Sequence, residues 1–199
     1  MITRMSKKLS SFFAANSIIK AEDKEVYEYS LEILFSTILN FVAVIIIALV
    51  SRKSLLTVFY LLGFIPLRLI AGGYHADTHF RCFLVLLGTY SAFLVIVTFL
   101  PDSFVWISTA AAVIITAIFI FLLAPVEDKN KPVSVEAKKS FKLKSRITVF
   151  VYSAITVLLL FLLPGNRIAF ALALGTVSVA LSLLATKVKN RILNNAINA

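Results

Sequence analysis

The sequence predicts an all-α, polytopic integral membrane protein with about six transmembrane helices and an amphipathic helix at its N-terminus. Hydrophobic residues make up 60% of its 199 positions and charged residues only 15%. The mean hydropathy of +0.95 is far above that of soluble domains. A crossing needs about 20 mostly apolar residues, so six crossings leave little chain for anything else. We therefore expect a single membrane domain over residues 1–199.

Residues 1–24 form the first predicted element, an amphipathic segment that lies in the membrane interface. Its apolar residues recur at helical spacing, opposite Lys7 and Lys8, and are Ile2, Met5, Leu9 and Phe12. The apolar stretch from Phe12 to Ala15 is too short for the hydrophobic region of a secretory signal. We expect the segment to be retained and to face the cytoplasm.

Six apolar runs follow as predicted membrane-crossing helices. They are Leu31–Val50, Leu55–Ile70, Cys82–Leu100, Phe104–Val126, Ile147–Leu163 and Ile168–Ala185. The second run is short, contains Gly63 and Pro66, and ends with Arg68. A kinked or re-entrant helix is therefore an alternative to a full crossing at this position.

The distribution of basic residues predicts the orientation, because Lys and Arg near the ends of crossings stay on the cytoplasmic side. Residues 127–146 form a long connection with seven basic residues against three acidic ones, whereas two other connections are short and weakly charged. This pattern places the 71–81 segment, both termini and the basic C-terminal tail, residues 187–199, inside. Arg52 and Lys53 then lie outside. A re-entrant second segment would bring them inside but would move the N-terminus outside.

The net charge of +10 and the single cysteine limit the classes of partner and cofactor. The basic residues cluster in tails and connections, as they do beside anionic lipid, so we expect contact with anionic lipid and no binding of nucleic acid. The only cysteine, Cys82, excludes an internal disulfide, a CxxC redox couple and a cysteine-ligated metal cluster within one subunit. No cofactor is expected.

Polar residues concentrate between Arg68 and Cys82, which marks a candidate functional site because such residues are costly in a membrane chain. The members of this group are Arg68, Gly72, Gly73, His75, Asp77, Thr78, His79, Arg81 and Cys82. Both histidines of the chain and its only cysteine fall in this window.

Cys82 and His75 could act as a nucleophile and its base. Cysteine catalysis needs a thiolate, an imidazole that stabilises it and protonates the leaving amine, and donors for the oxyanion. On one helix, seven residues would separate the two side chains by about 10 Å, so the chain must turn between them. Thr78 is a suitable N-cap for the third crossing. Cys82 would then lie in the first helical turn, where the helix dipole favours a thiolate and main-chain amides can receive an oxyanion.

Each of these residues also has a less specific interpretation. Cys82 could be a small buried hydrophobic residue. His79 could replace His75 as the base, or both could bind a metal, although the spacing matches no zinc motif and we predict no metal site. Arg68 could extend to the membrane interface or hold a substrate carboxylate.

Other classes of membrane protease lack their motifs in this chain. The sequence contains no HExxH and no serine in a GxSxG context. Asp77 and Asp102 would lie on opposite sides of the membrane, so they cannot form a carboxylate dyad.

The segment Arg68-Leu69-Ile70-Ala71-Gly72-Gly73-Tyr74-His75-Ala76-Asp77-Thr78, followed by Cys82, resembles the accessory gene regulator protein B (AgrB) peptidases of Gram-positive bacteria. The Arg, the paired glycines, the His, the Thr and the Cys stand in the family's order and spacing. Ala124-Pro125 and Asn130-Lys131-Pro132 look like a second recognisable stretch of the family. Chain length and hydropathy agree with the family along nearly the whole sequence.

This resemblance implies a quorum-sensing cysteine endopeptidase that cuts a short precursor near its C-terminal end. The N-terminal part would stay on the cysteine as a thioester until an internal Cys or Ser closes a thiolactone or lactone ring. Carried onto this chain, Cys82 is the nucleophile and His75 its base, while Asp77 is a candidate for orienting the imidazole. Substrate-binding or supporting roles would fall to Arg68, Gly72, Gly73, Thr78, Lys129 and Lys131.

The expected partner is an AgrD-like precursor with an amphipathic leader and an acidic tail, which suits a basic cytoplasmic face. A second copy of the chain in a homodimer is a further expected partner. The competing class is a non-enzymatic transporter or scaffold in which Arg68 and the glycines form a half-helix binding site. Gly63, Pro66 and Arg68 in a broken apolar segment fit that class, but the inverted repeat typical of transporters is absent from the sequence.

Overall fold

The computed structural model describes residues 2–74, 78–126, 135–163 and 166–197 as a helical bundle. The helices are α1 (Ile2–Ala15), α2 (Lys24–Val50), α3 (Ser54–Ala71), α4 (His79–Phe99), α5 (Asp102–Leu123), α6 (Val135–Leu162) and α7 (Ile168–Ile197), with a 3₁₀ turn at Ala21–Asp23. Six of these helices, α2 to α7, are long and apolar enough to cross a membrane. The predicted all-α membrane architecture is therefore confirmed.

Helix α1 is the amphipathic N-terminal helix that the sequence predicts. It packs on α2, and its small residues Ser6 and Ser10 are buried. Met5 and Phe12, in contrast, are exposed. The exposed apolar side chains give α1 a surface suited to the membrane interface.

Helix α3 runs unbroken through Gly63 and Pro66, and it is long and apolar enough to cross a membrane. Its 18 residues correspond to a length of about 27 Å. Pro66 has no amide hydrogen, so it cannot donate to the carbonyl of Leu62 four residues earlier. The hydroxyl of Tyr152 on α6 donates to that carbonyl at 2.7 Å and satisfies it.

Helix α7 forms the centre of the bundle. In its most apolar window 61% of the residues are buried, against at most 28% in any other crossing helix. Its closest neighbour is α3, and two glycines allow the contact. A Cβ on Gly63 would lie 2.5 Å from the carbonyl oxygen of Leu172, and one on Gly175 would collide with the carbonyl oxygen of Tyr60. Small residues let membrane helices approach to backbone contact in this way.

Two predicted boundaries are wrong because helices α6 and α7 extend beyond their apolar runs. Helix α6 begins at Val135, so residues 135–146 of the predicted basic loop are helical. Helix α7 continues to Ile197, through most of the predicted C-terminal tail. Once a buried segment has nucleated a helix, adding turns rich in Lys, Ala and Leu is favourable. The two basic segments therefore project as helical extensions.

Arg167 joins two connections at the end of the bundle opposite the α3–α4 loop. Its guanidinium donates to the carbonyl of Leu100 at 2.7 Å, to the carbonyl of Val97, and to the carboxylate of Asp102 at 2.6 Å. These bonds place Arg167, the residue before α7, beside the α4–α5 connection, as the alternating topology requires.

Candidate functional site

Arg68 holds the loop that follows α3. Its guanidinium Nη1 donates to the carbonyl of Gly72 at 2.9 Å and to Oγ of Ser182 at 2.7 Å, and Nη2 donates to the carbonyl of Tyr74. In these contacts the guanidinium binds main-chain carbonyls and a hydroxyl of the protein itself. The side chain folds back and supports the backbone of residues 72–74, which we call the anchored loop.

Gly72 and Gly73 are required by the conformation of the anchored loop. Their φ angles are +80° and +135°, in the region that favours glycine. A Cβ on Gly72 would lie 2.5 Å from the carbonyl oxygen of Val126, and one on Gly73 would collide with the guanidinium of Arg68. Both positions therefore combine a special backbone conformation with a close approach of other atoms.

The anchored loop also meets the chain that leaves α5. Gly72 forms a parallel bridge with Val126, and the amide of Val126 donates to the carbonyl of Ala71 at 3.2 Å. The structure thus brings Ala124-Pro125, part of the second stretch of resemblance, next to the first. Asn130, Lys131 and Pro132 lie outside the described residues.

Thr78 is the N-cap of α4, as predicted. Its backbone is extended, with φ −133° and ψ 148°, and its Oγ1 accepts from the amide of Arg81 at 3.2 Å. The amide of Cys82 donates to the carbonyl of Thr78 at 3.0 Å, and the side chain of Cys82 is partly exposed. Cys82 therefore completes the first turn of α4.

These bonds restrict which amides could receive an oxyanion. The amides of Arg81 and Cys82 already donate to Thr78. An α-helix offers no acceptor of its own to the amides of its first turn, and among these the amides of His79 and Phe80 precede the two that are bonded to Thr78. An oxyanion hole at this helix would therefore use the amides before the nucleophile and not the amide of Cys82.

Several predicted site residues lie outside the described residues. They are His75, Asp77, Lys129 and Lys131. The pairing of His75 with Cys82 stays a prediction. Among the residues that the structure does describe, no group of three or more His, Cys, Asp or Glu side chains could hold a metal ion.

Ser182 on α7 is a site residue that the sequence reasoning missed. Its Oγ accepts from Arg68 and also from the amide of Tyr74 at 2.9 Å. The ring of Tyr74 lies 5.3 Å from Nζ of Lys189, which is about two turns beyond Ser182 on α7. The sequence feature that could have indicated Ser182 is a row of hydroxyl residues spaced four positions apart, Ser178, Ser182 and Thr186. Such hydroxyls often bond only to their own helix, so the row is not specific.

The half-helix binding site of the transporter alternative does not match this geometry. That site needs a broken helix whose end faces a ligand. Here α3 is unbroken, and the guanidinium of Arg68 contacts carbonyls of its own loop and Ser182.

Comparisons with known proteins agree on one family. The family model described as Accessory gene regulator B matches residues 6–184. An AgrB-like protein of Clostridium perfringens strain SM101 is 27% identical over 169 residues, which cover 81% of this chain and 79% of the relative. AgrB-like protein 2 of Clostridium perfringens strain 13 is 24% identical over 177 residues, which cover 85% of this chain and 83% of the relative. No solved structure matches the chain.

Proposed function

Because the chain belongs to the accessory gene regulator B family, we propose that it is a membrane cysteine endopeptidase that converts a precursor peptide into a cyclic quorum-sensing signal. Family membership indicates an accessory gene regulator function in quorum sensing and a role in peptide processing. The observation that carries the finer proposal is the position of Cys82. The only thiol of the chain is partly exposed at the capped start of a helix, directly after the loop that contains His75.

The proposed reaction has two acyl transfers. The thiolate of Cys82 attacks the scissile carbonyl, and the imidazolium of His75 protonates the leaving amine, which releases the C-terminal part of the precursor. The N-terminal part stays as a thioester on Cys82. An internal Cys or Ser of the precursor then attacks this thioester, closes the thiolactone or lactone ring and returns the Cys82 thiol.

Retention of the thioester explains how a ring can close without ATP, for which the sequence contains no binding motif. Hydrolysis would discard the activation of the acyl group. Capture by an internal thiol exchanges one thioester for another and is nearly isoenergetic. The start of a membrane helix partly shields the intermediate from water.

The proposed substrate is an AgrD-like precursor with an amphipathic leader and an acidic tail. The helical extensions of α6 and α7 carry exposed basic residues that suit such a tail, among them Lys138, Lys139, Lys142, Lys187 and Arg191. The same residues suit the anionic cytoplasmic leaflet, and we propose that the site and both termini face the cytoplasm. A homodimer is part of the proposal as well.

A trapped intermediate tests this function. The chain is coexpressed with a small neighbouring open reading frame that encodes one internal Cys or Ser before an acidic tail, and that nucleophile is replaced by Ala. We expect the precursor to be cut but not cyclised, and a hydroxylamine-sensitive adduct of the truncated precursor to accumulate on Cys82. Intact-mass analysis of the purified protein detects it. Continued turnover to a linear product, with no adduct after rapid acid quench, would favour simple hydrolysis instead.

A further inference from the structure

Ser182 contacts the anchored loop through a single oxygen atom. Oγ accepts one hydrogen bond from the amide of Tyr74 at 2.9 Å and one from Nη1 of Arg68 at 2.7 Å. Arg68 in turn donates to the carbonyl of Tyr74. Both main-chain polar groups of Tyr74 are therefore held, the amide by Ser182 and the carbonyl by the Arg68 that Ser182 also binds.

The held residue is the covalent neighbour of His75. The carbonyl carbon of Tyr74 is bonded to the amide nitrogen of His75, and consecutive Cα atoms across a trans peptide are about 3.8 Å apart. Because Ser182 and Arg68 hold the backbone of Tyr74, they fix the position of the carbonyl carbon to which the His75 amide nitrogen is bonded. On the other side of His75, the N-cap Thr78 belongs to the start of α4.

Ser182 is itself part of a well-buried helix. It lies on the central helix α7 between Val179 and Leu183, whose side chains are fully buried. Its carbonyl accepts from the hydroxyl of Thr186 at 2.9 Å. An anchor on the most buried helix can hold a loop in one place.

The contact between α3 and α7 includes the bond from Arg68 to Ser182 but extends well beyond it. Gly63 and Gly175 bring the two backbones together, and Leu67, Val179 and Leu183 pack at the same interface. One turn earlier on α7, Ser178 accepts from the hydroxyl of Tyr60 on α3 at 3.1 Å, and its bond reaches a helix and not the loop. Ser178 and Ser182 thus lie on the same helix and at the same interface. Of the two, Ser182 binds the anchored loop, whereas Ser178 binds Tyr60.

We infer that Ser182 is a positioning residue for the reaction proposed above: with Arg68, it fixes the backbone of Tyr74, the residue that precedes the proposed base His75. This inference rests on the proposed function. Proton transfer needs the imidazole within about 3 Å of its partner. A misplacement of about 1 Å can lower the rate about 100-fold without loss of substrate binding. Removal of the Ser182 hydroxyl should therefore lower kcat and leave KM unchanged.

The first experiment uses the full chain with its precursor. For Ser182→Ala we expect kcat to fall about 10- to 100-fold with KM unchanged, because the loop is misplaced. The melting temperature should fall as well, because Arg68 and the amide of Tyr74 lose their acceptor. Ser178→Ala is the matched control and should keep the kcat of the parent protein. Equal losses in both variants, or a higher KM with unchanged kcat, would overturn the inference.

If Ser182→Ala is poorly folded, a second pair of variants tests the role of the hydroxyl oxygen. Thr and Val have the same shape, but only Thr carries the hydroxyl. Ser182→Thr should retain most of the activity and Ser182→Val should lose it. Equal activity of these two variants would show that the hydroxyl has no role in catalysis.

A third measurement needs no precursor and separates this inference from the proposed function. The alkylation rate of Cys82 by iodoacetamide reports the influence of His75 on the thiol. Ser182→Ala should slow alkylation in the parent protein but have no further effect in a His75→Ala background. A Ser182→Ala effect of the same size in both backgrounds, or none in the parent, would overturn the positioning role. If the effect of Ser182→Ala on alkylation depends on His75 but the parent protein cleaves no precursor, the proposed function is contradicted and the positioning role is not.

Discussion

Arg68 shows how hydrogen bonds can stabilise a charged side chain in a membrane helix. At the centre of a membrane helix an arginine costs about 2.5–3.5 kcal/mol, and this is an upper limit for Arg68, which lies in the last turn of α3. A hydrogen bond from a charged group contributes about 1.5–3 kcal/mol, and Arg68 donates to two carbonyls and to Ser182. Three such bonds exceed the cost, so the charge can remain beside the end of α3 and order the loop.

At the same scale, we expect the proposed dyad to act as one unit. His75→Ala and Cys82→Ala should each lower precursor cleavage at least about 1,000-fold while the protein stays folded and in the membrane. His79→Ala should retain substantial activity. Cleavage is followed by mass spectrometry and folding by gel filtration in detergent. Loss of activity in His79→Ala with retention in His75→Ala would show that His79 is the base.

At the scale of elements, the start of α4 depends on the Thr78 cap. Thr78→Val keeps the shape but removes Oγ1, which accepts from the amide of Arg81. The loss of an N-cap costs about 1 kcal/mol, so we expect cleavage to fall about fivefold as the first turn with Cys82 frays. Thr78→Ser preserves the cap and should remain active. A Thr78→Ser variant as impaired as Thr78→Val would mean that the cap oxygen is not what matters.

The close contact between α3 and α7 leads to a second prediction, which concerns the packing of these two helices. Gly63→Ala would place a methyl group 2.5 Å from the carbonyl oxygen of Leu172, so the helices must separate. Overpacking of this kind costs about 1–3 kcal/mol, and the melting temperature in detergent should fall. Gly88→Ala is the control, because a Cβ there meets nothing within 4 Å. Its higher helix propensity should leave stability equal or slightly raised.

At the scale of the whole molecule, the lengths of the helices create two ends of different character. Helices α6 and α7, with 28 and 30 residues, are about 42 and 45 Å long, whereas the hydrocarbon core of a bilayer is about 30 Å thick. The basic extensions of both helices project at the end that carries the anchored loop and Cys82. At the opposite end, Arg167, the residue before α7, donates to the carboxylate of Asp102 at the start of α5.

This arrangement predicts that the extended, basic end lies in the cytoplasm. Single cysteines are introduced into a Cys82→Ala background and labelled with an impermeant reagent in intact cells. A cysteine at position 134 should be labelled only after the cells are opened, and one at Ser103 should be labelled from outside. Efficient labelling at position 134 in intact cells would reverse the topology.

The sequence alone determined the properties that depend on local pattern. Hydrophobic runs of about 20 residues identified the six crossing helices, because a membrane accepts only apolar segments with satisfied backbones. The second run, Leu55–Ile70, differs by one residue at each end from the observed helix Ser54–Ala71. The cap at Thr78 was equally visible, since a cap and the helix that it starts lie within four residues.

Only the tertiary structure decided which distant residues meet. The support of Tyr74 by Ser182 joins positions 108 residues apart, and the bond from Arg68 to Ser182 joins positions 114 residues apart. The contact of Gly72 with Val126 and the approach of Gly175 to Tyr60 are likewise set by how the helices cross. A local pattern shows that a serine or glycine is present in a helix. Its partner depends on packing, because many residues on neighbouring helices could meet the same side chain.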